Sequence, residues 1–173
     1  MLVEVTIQSL WLDGTTNTPV VILEELEGQR TLPIWIGPGE ASAIANKLSG
    51  IEVARPLTHD LLCSLIRELG GSLEKVVISR VEDSTYYAEL LILKNGKLVS
   101  LDARPSDSIA LALRFDTKIF AEDELLTIDP DHTKDKSGAS HGGGSDSLSA
   151  MKPNELEEHL RRLNPEDFGR FIP

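Results

Sequence analysis

The sequence predicts an α+β fold, a mixed and largely antiparallel sheet packed with about three helices. Three observations carry this reading. Strand-like stretches precede, separate and follow the helical ones, instead of alternating with them one by one. Asn95-Gly96 stands between two β-rich runs, a strong two-residue hairpin signal that makes at least one pair antiparallel. Ile109-Ala110-Leu111-Ala112-Leu113 is apolar on every side, so one helix belongs in the middle of the fold or under a partner.

Val3, Val5 and Ile7 alternate with Glu4, Thr6 and Gln8, the period of a half-buried first strand. Pro19 to Glu24 makes a second strand, and Gly28-Gln29 turns it into a third, Thr31 to Ile36, where Pro33 argues for an edge or a bulge. Ala41, Ile44, Ala45 and Leu48 follow helical spacing, with Gly50 as the stop. Thr58 opens a second helix through Leu61, Leu62, Leu65, Ile66 and Leu69, closed by Gly70-Gly71. Leu73 to Val81, Thr85 to Leu93 and Lys97 to Asp102 are the middle strands. A third helix runs from Asp107 to about Arg114. A short strand near Ile119-Phe120 and a weak helical turn from Glu122 to Leu126 end a domain spanning residues 1–128.

Residues 129–150 read as a flexible linker, because Ser137 to Ser145 is too poor in apolar side chains to offset its ordering entropy. In the tail, 151–173, Leu156, Leu160 and Leu163 predict a C-terminal helix, followed by the capped turn Asn164-Pro165-Glu166-Asp167-Phe168. A helix that short is marginal alone, so it is expected to dock on the domain or on a partner. His132, His141 and His159 lie in or beyond the linker and are read as solvated.

The chain has 173 residues and a net charge of -11. Residues 1–130 hold 11 basic and 20 acidic residues, so the acidity belongs to the domain. Such a surface repels phosphate backbones at long range, and nucleic-acid contact then needs local arginines or a bound cation. A single cysteine, Cys63, excludes an intrachain disulfide framework and any multi-cysteine zinc site. It falls in an apolar helix and reads as a small buried hydrophobe. The start lacks the pattern of a signal peptide, and no stretch approaches the ~18 apolar residues of a membrane span. A cytoplasmic protein without membrane contact is expected.

Two stretches share nearly the same chemistry: Arg55-Pro56-Leu57-Thr58-His59-Asp60 and Asp102-Ala103-Arg104-Pro105-Ser106-Asp107. Proline holds the preceding residue extended, which fixes each arginine on the approach to its helix. Thr58 and Ser106 are expected N-caps, with Asp60 and Asp107 in first turns where the dipole favours anions. Capping accounts for the hydroxyls and the acids. It accounts neither for an arginine at both entrances nor for His59. The two stretches are therefore expected to meet at one end of the sheet.

Leu32-Pro33-Ile34-Trp35-Ile36-Gly37 with Glu40-Ala41, the Arg55 to Asp60 stretch, Tyr86-Tyr87-Ala88, and Asp102 to Ala112 resemble, in the same order, the bifunctional nuclease domain family. The resemblance spans about residues 1–128, and the tail with Pro165-Glu166-Asp167-Phe168 is similar to tails on some bacterial members. It implies a compact domain that cuts both DNA and RNA. One departure is visible: Asp83-Ser84-Thr85-Tyr86-Tyr87 stands where the family usually has a glycine and a phenylalanine around the threonine.

Phosphodiester hydrolysis needs an activated water, charge stabilisation at phosphorus and help for the leaving oxygen. His59 is the natural general base or acid, since histidine changes charge near neutral pH. Arg55 and Arg104 are suited to grip a phosphate bidentately. Asp60, Asp102 and Asp107, with Glu40 as a fourth carboxylate, offer oxygen ligands to a hard divalent cation such as Mg2+. No organic cofactor is called for. The competing reading pairs Arg55 with Asp60 or Asp107, and Arg104 with Asp102 or Asp60, as buried salt bridges. On that reading the protein is a non-catalytic, homo-oligomeric binding or regulatory module with a charged ligand pocket, and removing Arg104 costs clear stability. Trp11 and Trp35 read as core or interface aromatics, and Gly37-Pro38-Gly39 as a turn, since it lacks the lysine and hydroxyl of a phosphate loop. A homodimer is expected from the all-apolar third helix and the edge signal at Pro33.

Overall fold

The computed structural model describes residues 1–26 and 28–128. The predicted linker and C-terminal helix lie outside them. The strands β1 (Leu2–Leu12), β2 (Pro19–Glu25) and β3 (Arg30–Trp35) are followed by the helices α1 (Pro38–Leu48) and α2 (Thr58–Glu68). Then come β4 (Gly71–Glu82), β5 (Thr85–Lys94), β6 (Lys97–Ala103), the helix α3 (Pro105–Phe115), β7 (Ile119–Glu122), a single 3-10 turn (Asp123–Leu125) and β8 (Thr127–Ile128). All eight strands join one sheet in the order β6-β5-β4-β7-β1-β2-β3-β8. Every neighbouring pair is antiparallel except β4 with β7. The fold is the expected α+β.

The register explains the core. Val5, Ile119, Val76, Leu90 and Leu101 stand opposite one another across five strands, so their side chains share one face. The first four are buried under the helices, and Leu101, on the outermost strand, is half exposed. On the other half of the sheet, Val21 lies between Leu10 and Ile34, and Leu23 between Ile7 and Leu32. α3 lies innermost, with Ile109, Ala110, Leu111 and Ala112 buried between the sheet and its neighbours α1 and α2. The all-apolar helix is thus consumed inside the chain and provides no outward dimer surface.

Turn chemistry follows sequence closely. Asn95 and Gly96 both take positive φ, as a two-residue hairpin with the right-handed strand twist requires, and Asp83 and Ser84 do the same between β4 and β5. β8 extends only over Arg30 and Thr31 of β3, so Pro33 lies on an open edge where its missing N–H costs nothing. Trp11 and Trp35 both stand opposite Val20 and flank it on the face without helices.

Both site helices start earlier than their hydroxyls suggest. Pro105 occupies the first position of α3, making Arg104 the N-cap and Ser106 an interior residue. In α2 the N-cap is Leu57, with Thr58 as the first helical residue. The capping falls to Asp60, whose Oδ2 accepts the Leu57 backbone N–H at 2.9 Å.

Candidate functional site

Each of the three helices carries an acid at its third position: Glu40 in α1, Asp60 in α2 and Asp107 in α3. That position suits a carboxylate in the field of the helix start. Here the fold uses all three for a second purpose. Asp107 Oδ1 lies 3.0 Å from His59 Nε2, and its Oδ2 accepts from Arg104 Nε at 2.7 Å. The same guanidinium continues to Glu40, with Arg104 Nη2 and Glu40 Oε1 at 2.9 Å. The chain His59–Asp107–Arg104–Glu40 therefore ties together the starts of all three helices. Gly37 lies close against the last link. A Cβ there would lie 2.3 Å from Glu40 Oε2, so any side chain would make that carboxylate shift.

The members differ in exposure, and that divides their roles. His59 is 13 % exposed and held in place, whereas Arg104 is 65 % exposed and offers its remaining N–H groups to solvent. Burial pushes the Asp107 carboxyl up, but Arg104 and His59 outweigh it and keep the group below the usual carboxylate range. An ionised carboxylate only accepts, so His59 Nε2 carries the hydrogen of the shared bond, and Nδ1 of a neutral ring is the free base. The hydrogen bond to Asp107 in turn raises the Arg104 guanidinium, helped by Glu40, so that cation is permanent.

A second pair braces the first. Arg114, 6 % exposed at the far end of α3, donates to Asp60 Oδ1 at 2.5 Å, to the Ala110 carbonyl at 3.0 Å and to the Ala43 carbonyl at 3.2 Å. It thus links α1, α2 and α3 behind the site. Burial raises the Asp60 carboxyl, and Arg114 with the Leu57 N–H more than reverses that, leaving it low. The sequence reading missed Arg114. Its signal was a cation closing an otherwise apolar helix, where an unpaired charge would not be tolerated. Beside this pair an open cleft of about 390 Å³ is walled by Ile51, Val53, Pro56 and Leu57, with Asn46 and Lys47 at its polar side.

The structure thus brings His59, Asp107, Arg104 and Glu40 together and places Asp60 next to them on a separate partner. It does not bring in Arg55 or Asp102. Arg55 is exposed ahead of α2 and, among the described residues, has no hydrogen bond or ion pair. Asp102 stands opposite Glu89, one residue out of step with the inward-facing Leu101 and Ala103, so the pleat turns it to the face without helices. The pairings weighed from sequence are replaced accordingly: Asp60 takes Arg114, and Arg104 takes Asp107 and Glu40. Among the described residues no three His, Cys, Asp or Glu side chains gather as metal ligands. Glu40, Asp60 and Asp107 each face a cation, and Asp102 is turned to the other face of the sheet. Cys63 is buried, which pushes its thiol up.

Fold and site define an α+β domain with a histidine–carboxylate–arginine centre assembled from helix starts, without a phosphate-binding loop. A family model for the bifunctional nuclease domain matches residues 21–131, and the chain belongs to that family. An uncharacterised protein of Mycobacterium tuberculosis is 38% identical over 172 residues, covering 95% of this chain and 97% of that protein. Bifunctional nuclease 2 of Oryza sativa is 28% identical over 100 residues, and bifunctional nuclease 1 of Arabidopsis thaliana 26% over 100 residues. Each of these two alignments covers 56% of this chain and 31% of the plant protein.

Proposed function

We propose that the protein is a nuclease that hydrolyses phosphodiester bonds of DNA and RNA at the His59–Asp107–Arg104 centre. The observation that carries this reading is the convergence of three helix starts on a partly buried histidine with an oriented ring and an exposed arginine with spare donors. Family membership and the plant nucleases support the reaction class. Arg104 grips a non-bridging phosphate oxygen, assisted by the positive ends of the helix dipoles. His59 Nδ1 takes the proton of the attacking water, and Asp107 holds the ring in the required tautomer and stabilises its charged form. The neighbouring cleft accommodates the nucleotide flanking the scissile bond. No step is routed through a metal ion.

A second reading has an observation of its own. Every carboxylate of the centre is already partnered, which also suits a binding or regulatory module that holds an anion without cleaving it.

The test uses highly purified protein on single- and double-stranded DNA and on RNA, in Mg2+, in Mn2+ and in chelator. His59→Ala and Asp107→Asn are expected to lose on the order of 10²–10⁴-fold in cleavage, with the melting temperature nearly kept in His59→Ala. Nucleic-acid binding without turnover would favour the second reading. Cleavage unchanged in His59→Ala would overturn the assignment of the centre, and cleavage only with added metal would overturn the metal-free route.

A further inference from the structure

We infer, resting on the nuclease reading, that the cleft beside the centre holds one unpaired base of the substrate, so that the protein acts on single strands in preference to duplex. Leu57 and Asp60, which line the cleft, bracket His59 at the start of α2. Their partners set the scale. His59 meets Asp107, and Asp60 meets Arg114, about two turns further along α3, or ~10 Å. A nucleotide whose phosphate lies on Arg104 covers that span with its sugar and base.

The walls suit a planar ring. Ile51, Val53, Pro56 and Leu57 come from the connection between α1 and α2, and Ile51, Val53 and Leu57 are exposed instead of packed in the core. A ring laid against them gains burial that folding leaves unused. The charged lining is balanced: Asp60 is spent on Arg114, and the exposed Lys47 and Glu52 are one cation and one anion. Asn46 is the polar member without a purpose in the fold. After α1, Gly50 takes a positive φ and donates to the Lys47 carbonyl, while the Ile51 N–H donates to the Asn46 carbonyl. Such a turn often places an apolar residue where Asn46 stands, in contact with the residue in the place of Ile51. Here an asparagine lines the cleft instead, and its buried Oδ1 has no hydrogen-bond partner among the described residues. An unsatisfied amide oxygen is costly and calls for a donor. The last side-chain torsion of asparagine is broad, so the carboxamide turns readily to present either end to the cleft, and every base edge carries a donor or an acceptor to meet it.

Pairing and charge both select the single strand. In a duplex each base is stacked on its neighbours with its edge turned to its partner, so it enters a cleft only after unpairing, a cost that a single strand is spared. A duplex also carries its phosphates about twice as densely along its axis as one strand does. The acidic surface of residues 1–130 therefore repels duplex the more strongly.

The experiment digests a labelled single strand and a differently labelled duplex of the same sequence in one tube with the full chain, so that the ratio of rates does not depend on the folded fraction. The single strand is expected to be cut at least about tenfold faster. Ile51→Ser with Val53→Ser strips the apolar wall at exposed positions and should bring the ratio close to one. Should that pair fail to fold, Asn46→Ala takes its place, with a fall of the same ratio expected. Binding is read separately with His59→Ala and a single strand carrying 2-aminopurine, whose fluorescence rises when the base leaves its stack. The rise is expected in His59→Ala and its loss when the two serines are added. Equal rates on both substrates, or variants that keep the parental ratio, overturn the inference and leave the nuclease reading in place. A parent that cuts neither substrate fails the nuclease reading, and the 2-aminopurine arm then decides: a rise that needs Ile51 and Val53 upholds the base in the cleft, and any other result overturns it.

Discussion

Arg104 stands just before α3 and Arg114 in its last turn, and the structure assigns them opposite consequences. Replacing Arg114 by alanine removes a 6 % exposed guanidinium together with its bonds to Asp60, Ala110 and Ala43. Breaking a buried pair from one side costs about 3–5 kcal/mol, because the other charge is left behind. Asp60 is 31 % exposed and keeps the Leu57 N–H, so water takes up part of that loss and the lower end, about 3 kcal/mol, applies. For a domain of this size that corresponds to a melting temperature lower by roughly 10–15 °C. Arg104→Ala breaks two ion pairs of a side chain that is largely in solvent, and such pairs contribute about 1 kcal/mol or less. Its melting temperature should stay within about 3 °C of the parent while cleavage falls. This reverses the stability loss expected for Arg104 from sequence, where its exposure was not visible. Thermal melts followed by circular dichroism on both variants decide the matter. An Arg114→Ala protein that melts with the parent would refute the brace.

Other outcomes follow from the same geometry. Asp60 and Asp107 both have folded pKa values below their ordinary 3.8, so their stabilisation is present above that value and is lost as pH falls through the depressed one. The urea midpoint of the parent should therefore hold above about pH 4 and fall steeply below it, and that of Asp107→Asn should fall less. Asp102→Asn, on the face away from the centre, should leave both cleavage and melting temperature unchanged; a large loss of activity would return Asp102 to the site. Gly71→Ala places a methyl 3.1 Å from the Ile66 carbonyl oxygen and should cost about 1–3 kcal/mol in urea titrations, as overpacking does.

The strands and helices were legible because local rules and tertiary structure agree along most of this chain. Alternation, glycine stops and the Asn95-Gly96 turn act over a few residues and need no knowledge of distant partners. β8 escaped because two residues have no period to read. The centre was half legible. Repeated Arg-Pro and acid patterns located both helix starts, yet the pairing of Asp60 with Arg114 depends on how α2 crosses α3, which sequence spacing does not encode. Asp102 failed for a simpler reason: whether it faces the helices is set by the parity of its register with Leu101. α3 was apolar all round because it is central, whereas α2 looked like an ordinary amphipathic helix until its leucines proved to lie outside.

The lone parallel contact between β4 and β7 has a consequence for how the chain comes into being. β7 has only four residues, yet it is the seam between the β1-β2-β3 meander and the β4-β5-β6 meander. Its far end meets the chain's beginning, where the Met1 amino group donates to Glu122 across 121 positions of sequence. At about 5–20 residues per second, the interval between synthesis of β1 and of β7 is on the order of ten seconds. Once β4 has been made and until β7 follows, Val3 and Val5 on one side and Val76 and Ile78 on the other line two open, apolar strand edges. A chain ended at residue 116 should accordingly be recovered as aggregate or bound to a holdase, and one ended at residue 128 should be soluble. Closure of the sheet is thereby a late event in the polypeptide's birth, and the nascent chain needs protection until its last few strand residues arrive.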